Sequence, residues 1–128
     1  MPKYLVLSLA AILVFPPVTA MADAASEIVT AAQHAEYAAQ STSIDMVHTH
    51  LHHTLNCLVG PAGADFDKEA LNPCKNAGTG AIPDTTDAAK KKALEAAADK
   101  ARDGLKANDL AAAQKDASDT EAMLKAIK

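Results

Sequence analysis

Four of the five histidines in this chain stand within six consecutive positions, and they are the residues best suited to chemistry. The group comprises His48, His50, His52 and His53, and the fifth histidine, His34, precedes it. Neutral imidazole is a ligand for zinc, copper and nickel, whereas calcium and magnesium require oxygen ligands that this run does not supply. The pattern therefore predicts a site for a divalent transition metal.

The spacing of these histidines divides them into two pairs. A helix turns by ~100° per residue, so the four cannot share one face. His48 and His52 lie four positions apart, and we expect this pair to be able to hold a single ion. His50 and His53 lie three apart on the other side of the helix, and a turn before the run would bring His34 towards one of the two pairs.

Two histidines on a helix form only half of a metal site, so further ligands are needed. The candidates are His34, Glu36, Asp45 and a residue of a second chain. Met46 lies next to the run and favours copper among the three metals. The sequence thus predicts one site in this region but leaves its ligands and its metal open.

Two other interpretations of the histidines remain open. In the first, they are solvated side chains of a structural or partner-binding helical bundle that holds no physiological metal. In the second, His48 or His50 is an axial ligand of non-covalently bound haem. The second interpretation lacks the bulky aromatic residues that would line a haem cavity, because aromatic residues make up only 3% of the chain.

Hydrophobic periodicity indicates that the elements carrying these residues are helices. The chain is rich in alanine, which has the highest helix propensity, and no stretch alternates with a period of two. Apolar residues recur at three and four instead. One such stripe is Ile44, Val47, Leu51, Leu55 and Leu58, and another is Leu110, Ala113, Ala117, Thr120, Leu124 and Ile127. The sequence predicts an all-α protein.

Capping and stop signals place four helices in a single domain, residues 23–128. The first hairpin covers residues 23–59, with Ser43 as an N-cap in its turn and Gly60-Pro61 as its stop signal. A polar crossover loop, residues 60–83, holds at most one helical turn, near residues 68–71. The second hairpin covers residues 84–128. Two short turns and one long crossover predict a small antiparallel four-helix bundle.

An internal repeat supports this arrangement. A shift of 66 positions lays the first hairpin on the second, so that Ile44 meets Leu110 and Leu58 meets Leu124. The two turns then coincide as well. All five histidines lie in the first half, which indicates a role specific to that half.

The first 22 residues have the pattern of a secretory signal peptide. A short basic start is followed by an apolar run over residues 4–15, then by two prolines and by the small residues Ala20 and Ala22. The run is shorter than the ~20 residues that span a bilayer. We therefore expect a periplasmic or secreted protein with no membrane attachment after cleavage.

Export determines how the two cysteines are interpreted. Cys57 and Cys74 both lie beyond the signal peptide, and an even pair in an oxidising compartment usually forms a disulfide. Closing a loop of this size stabilises the folded state by roughly 3 kcal/mol in the chain-entropy model. Metal ligation by the cysteines is the alternative.

Composition and missing motifs exclude several functions. The formal charge is −4, so the chain lacks the basic footprint of a nucleic-acid binder. It contains no His-Glu-x-x-His motif, no phosphate-binding loop and no recognisable nucleophile with its base, and we expect no enzymatic activity. The core is thin, and homodimerisation is one way in which small bundles compensate for this.

The first hairpin resembles a known group of proteins. Its first helix contains residues 31–38, with the sequence AAQHAEYA, and a capped turn leads to the histidine-rich second helix. This pattern is similar to that of small exported metal-binding proteins of Gram-negative bacteria, which are alanine-rich four-helix proteins with repeated His-Ala-x-x-Ala units. The resemblance implies binding of copper or another divalent metal. The chain departs from the group in lacking histidines in its second hairpin and in carrying the segment with Cys57 and Cys74.

Overall fold

The structure, a computed structural model, describes residues 22–128 and is entirely helical in its regular elements. The helices are α1 (Ala24–Gln40), α2 (Ile44–Val59), α3 (Ala81–Asp84), α4 (Ala88–Lys106) and α5 (Leu110–Lys125). No strand occurs within residues 22–128. The predicted all-α class is confirmed, whereas all but the last residue of the predicted signal peptide lies outside the described residues.

Each long helix begins at a side-chain cap. The four caps are Asp23, Ser43, Asp87 and Asp109, and each accepts a hydrogen bond from the backbone N–H three residues further on. These oxygens satisfy donors that a helix N-terminus otherwise leaves unpaired. The predicted cap Ser43 is confirmed. Short local signals thus determine where the long helices start.

The core lies between the four long helices and is made largely of small residues. α1 packs against α2 and α5, and α4 packs against α5 and α2. The largest fully buried apolar side chains are leucines, and most of the other buried apolar residues are alanines. The leucines are Leu51, Leu55, Leu58, Leu94 and Leu124. Because alanine occupies so much of the interface, the helices approach closely and bring the side chains at their flanks into contact.

The segment between α2 and α4 differs from its prediction. The sequence allowed at most one helical turn, near residues 68–71; no helix forms there, and the short helix α3 forms further along. The buried side chain of Asn56 explains the first difference, because its amide donates to the carbonyl oxygens of Asp67 and Leu71 while its oxygen accepts from the Asp67 N–H. These bonds hold the segment in an irregular conformation.

A disulfide ties this segment to α2. Cys57 and Cys74 are bonded, their Cα atoms lie 5.1 Å apart, and both side chains are buried. The Sγ atom of Cys74 lies 3.8 Å from the carbonyl oxygen of Glu27, so the segment also packs against the start of α1. The predicted pairing is confirmed, and it is compatible with an oxidising compartment.

Gly60 allows the chain to leave α2 sharply. Its φ of 70° lies in the left-handed region, and a Cβ atom at this position would overlap the carbonyl oxygen of Thr79. None of the helices in the described part of the chain is long and apolar enough to cross a membrane.

Candidate metal centre

Three histidines from two helices meet on one side of the α1–α2 interface. His34 comes from the middle of α1, and His50 and His53 come from successive turns of α2. One ring nitrogen from each lies within 4.8 Å of the other two. This group, called here the His34–His50–His53 cluster, is the one set of three or more potential metal ligands found among residues 22–128.

The closest approach in the cluster has the separation that two ligands of one metal ion require. The Nδ1 atoms of His34 and His50 lie 3.4 Å apart. Two nitrogens bound tetrahedrally at the usual Zn–N distance lie about 3.3 Å apart. The ring of His53 has its centroid 5.1 Å from that of His34 and 5.5 Å from that of His50. The ligand nitrogens of all three histidines lie within 4.8 Å of one another, so His53 is the third potential ligand of an ion held between His34 and His50.

The Nδ1 atom of His53 is buried and has no hydrogen-bond partner. Unpaired buried polar atoms are rare, and an absent ion is one of their explanations. This atom belongs to the residue whose ring faces the other two imidazoles. The Nδ1 atom of His53 is therefore not engaged by another protein group and is available as a ligand.

Neighbouring side chains fix the geometry of the cluster. The Tyr37 ring lies edge-on to His34 and His50, with centroids 5.6 and 5.5 Å away. The Tyr37 hydroxyl accepts a hydrogen bond of 2.7 Å from the Gln33 amide and is thereby engaged outside the cluster. The Thr54 hydroxyl lies 3.1 Å from the carbonyl oxygen of His50 and 3.2 Å from that of Ala31, so it contacts α1 one turn from His34.

The cluster favours uncharged imidazoles. Burial lowers the pKa of His34 from 6.5 to about 4, and the neighbouring His53 and His50 contribute to this shift. Burial also lowers the pKa of His50 and of His53. Metal binding requires the neutral ring, so these shifts keep the three ligands ready for an ion at neutral pH.

The other two histidines lie outside the cluster and make separate contacts. His48 Nε2 donates to the carbonyl oxygen of Ala107 at 3.1 Å. His52 Nδ1 lies 3.2 Å from a carboxylate oxygen of Asp67. Of the two pairs that the sequence predicted, the structure thus brings His50 and His53, and not His48 and His52, to His34.

The further ligands suggested by the sequence do not join the cluster. Glu36 accepts a hydrogen bond from Gln40 and forms an ion pair with Lys125 at 3.4 Å. Neither Glu36 nor Asp45 belongs to the group of converging ligand atoms. Met46 is 46% exposed on α2. Tyr37 was not singled out from the sequence, although its position one turn after His34 places it on the same face.

The chain was compared with protein-family models, with curated proteins and with solved structures, and none of them matches it.

Proposed function

We propose that this protein binds one divalent transition metal ion, copper, zinc or nickel, through His34, His50 and His53. The observation that supports this function is the convergence of three imidazoles from two helices, with ring nitrogens within 4.8 Å of one another. Three neutral nitrogen ligands match the preference of these metals and offer nothing to calcium or magnesium.

Three protein ligands leave a coordination position for water or for an exchangeable ligand. The cluster is only partly buried, so an ion can enter without unfolding the helices. Among the three metals, copper binds nitrogen ligands most tightly under comparable conditions. We therefore propose copper as the tightest-bound ion, with zinc and nickel binding at the same residues.

We also propose where the protein works and how its long helices are arranged. We propose that residues 1–22 direct export and are removed, so that the protein works in the periplasm or outside the cell. The four long helices would form two antiparallel hairpins, with the metal site confined to the first. This is the arrangement expected from the resemblance to small exported metal-binding proteins.

Tyr37 provides a direct test of binding. In residues 23–128 it is the sole tyrosine, and the chain has no tryptophan. Copper(II) held by His34 and His50 would quench its fluorescence, because the Tyr37 ring lies beside both. Calorimetric titration of residues 23–128 with copper, zinc and nickel should give a stoichiometry near one, and copper should quench the tyrosine emission with the same midpoint.

Two double variants distinguish the cluster from the other histidines. His50→Ala/His53→Ala should abolish both the heat and the quenching, whereas His48→Ala/His52→Ala should retain both. These variants remove the same number of histidines from the same helix. If the second variant abolishes binding instead, the assignment of the site is wrong.

The competing function is a helical bundle that binds a protein partner or a second copy of itself. It is favoured by an apolar groove between α1 and α5, which is lined by Ile28, Val29 and Leu124 and where the Val29 side chain is 69% exposed. No heat with any of the three metals, together with a dimer in sedimentation, would support this alternative. A Soret band in the purified protein would support haem binding instead.

A further inference from the structure

Glu27 is a fully buried acidic residue at the start of α1, far along the chain from the segment that covers it. None of its surface is exposed. Its Oε1 atom accepts a hydrogen bond of 2.9 Å from the Gly80 N–H, whereas its Oε2 atom is buried without a partner. A buried ionised carboxylate with an unpaired oxygen is costly, so such a group tends to take up a proton.

A second carboxyl group faces Glu27 from α3. The Asp84 side chain accepts hydrogen bonds from the Thr79 N–H and hydroxyl, at 2.7 and 2.5 Å. A Cβ atom added to Gly78 would press against oxygens of both Asp84 and Glu27, so the two carboxyl groups converge on this glycine. The backbone at Gly78 therefore runs closely past the pair.

The pKa values of the two carboxyl groups are shifted in opposite directions. The pKa of Glu27 is raised from 4.5 to about 7, mainly by burial and also by Asp84 and Asp23, while the hydrogen bond from Gly80 acts in the opposite direction. Burial also acts to raise the pKa of Asp84, but hydrogen bonds from Thr79 and from Glu27 lower it overall. A single proton on Glu27, donated to an ionised Asp84, would join the two carboxyl groups by a hydrogen bond.

We propose that Glu27 and Asp84 share one proton, and that this proton fastens residues 78–84 to the start of α1. The charged groups that act on Glu27 are Asp84 on α3 and Asp23, the cap of α1 itself. The Cys57–Cys74 disulfide beside Glu27 does not titrate. Loss of the shared proton leaves two carboxylates facing each other and frees this part of the segment between α2 and α4.

The raised pKa of Glu27 determines how the attachment of residues 78–84 depends on pH. The pKa of Glu27 is higher in the closed structure than its ordinary value of 4.5, so protons favour the closed state. The attachment is strongest below pH 4.5, weakens as the pH rises towards 7, and is lost above it. Between these limits the constant for opening should rise about tenfold per pH unit, since one proton is released.

Carbon-13 NMR measures the proton on Glu27 directly. The protein is titrated with a chelator present, so that the histidine cluster holds no metal and the result is independent of the proposed metal function. The Glu27 carboxyl resonance should titrate with a midpoint near 7. A midpoint near 4.5, the ordinary value for a glutamate, would overturn the proposal.

Amide hydrogen exchange measures the attachment. The Gly80 amide should lose protection, after correction for intrinsic exchange, as the pH rises from 5 to 7. Glu27→Gln imitates the protonated acid, because its amide can donate to Asp84 while its oxygen accepts from Gly80, so protection in this variant should not depend on pH. Glu36→Gln, which removes an exposed carboxylate from the same helix, should behave like the native protein.

Two further results would overturn the shared-proton proposal. Protection at Gly80 that is independent of pH in the native protein would overturn it, even with Glu27 titrating near 7. A divalent cation between the two carboxylates is the alternative partner for Oε2. If calcium restores the protection of Gly80 at pH 8 in the native protein and not in Glu27→Gln, the pair is a cation site and the shared-proton proposal is wrong.

Discussion

His34 and His50 face each other across the α1–α2 interface with their Nδ1 atoms 3.4 Å apart, although sixteen positions separate them in the chain. Two neutral imidazoles at this distance share at most one hydrogen bond, since one nitrogen must donate and the other accept. A metal ion can use both lone pairs at once. The packing of α1 against α2 therefore places two potential metal ligands at a distance that suits one ion.

Metal binding should stabilise a protein that is already folded. The caps and apolar stripes specify the helices without an ion, so circular dichroism of the metal-free protein should be predominantly helical. An ion at 100 times its dissociation constant adds about 2.7 kcal/mol to the free energy of unfolding. Thermal unfolding with and without copper should show this gain in the native protein and in His48→Ala/His52→Ala, and not in His50→Ala/His53→Ala. A random-coil spectrum that becomes helical on metal addition would contradict the prediction.

The metal-free cluster should make stability depend on acidity. The pKa of His34 in the folded protein, about 4, lies below its ordinary value of 6.5, so protons bind preferentially to the unfolded chain. This contribution is present above pH 6.5 and is lost as the pH falls towards 4. Urea unfolding with a chelator present should show that His34→Gln loses less stability than the native protein over this range. Parallel curves for the two proteins would refute the shift.

Glu27 should produce the opposite dependence. Its raised pKa stabilises the folded state at low pH, and the contribution declines between pH 4.5 and 7. The same urea measurements on Glu27→Gln should therefore show a steeper gain in stability with rising pH than in the native protein. A shallower gain would mean that the sign of the Glu27 contribution is wrong.

Breaking the disulfide should loosen the segment between α2 and α4 without removing the metal site. Cys57 and Cys74 are seventeen positions apart and both are buried. Cys57→Ser/Cys74→Ser should lower the free energy of unfolding by about 3 kcal/mol. Calorimetry on this variant should still give one copper site, because neither sulfur belongs to the cluster. Loss of copper binding with helical content unchanged would point to a role for the cysteines in the site.

Asn56 should be the residue on which the irregular part of this segment depends most. Its buried side chain makes three hydrogen bonds to the backbone of Asp67 and Leu71. Asn56→Ala leaves buried backbone groups unpaired and should cost about 2 kcal/mol or more. Asn76→Ala, at an exposed position of the same segment, is the matched control and should change stability by less than about 0.5 kcal/mol. Equal effects in chemical denaturation would contradict the assignment.

Patterns in the sequence were sufficient to predict the four long helices and the disulfide. The apolar stripe of α2 predicts its buried side, and Val47, Leu51 and Leu58 are fully buried. The cap at Ser43 and the stop at Gly60 determine its length, because they satisfy or end the backbone hydrogen bonds at each terminus. The helix features depend on residues within a few positions of one another, the range over which periodicity and capping act, whereas the disulfide was inferred from the even cysteine pair and the predicted export.

Only the tertiary structure decided which histidines meet. His48 and His52 flank the α2 stripe on one side and His50 and His53 on the other, so both pairs are equally compatible with the helix. The packing of α2 between α1 and α4 turns the second flank towards His34 and leaves His48 against Ala107. The burial of Glu27 is decided in the same way, since Gly80 and Asp84 reach it from the far end of the segment. Helix periodicity specifies the angle between side chains on one helix, but the side of that helix that faces each neighbour depends on how the whole set of helices packs.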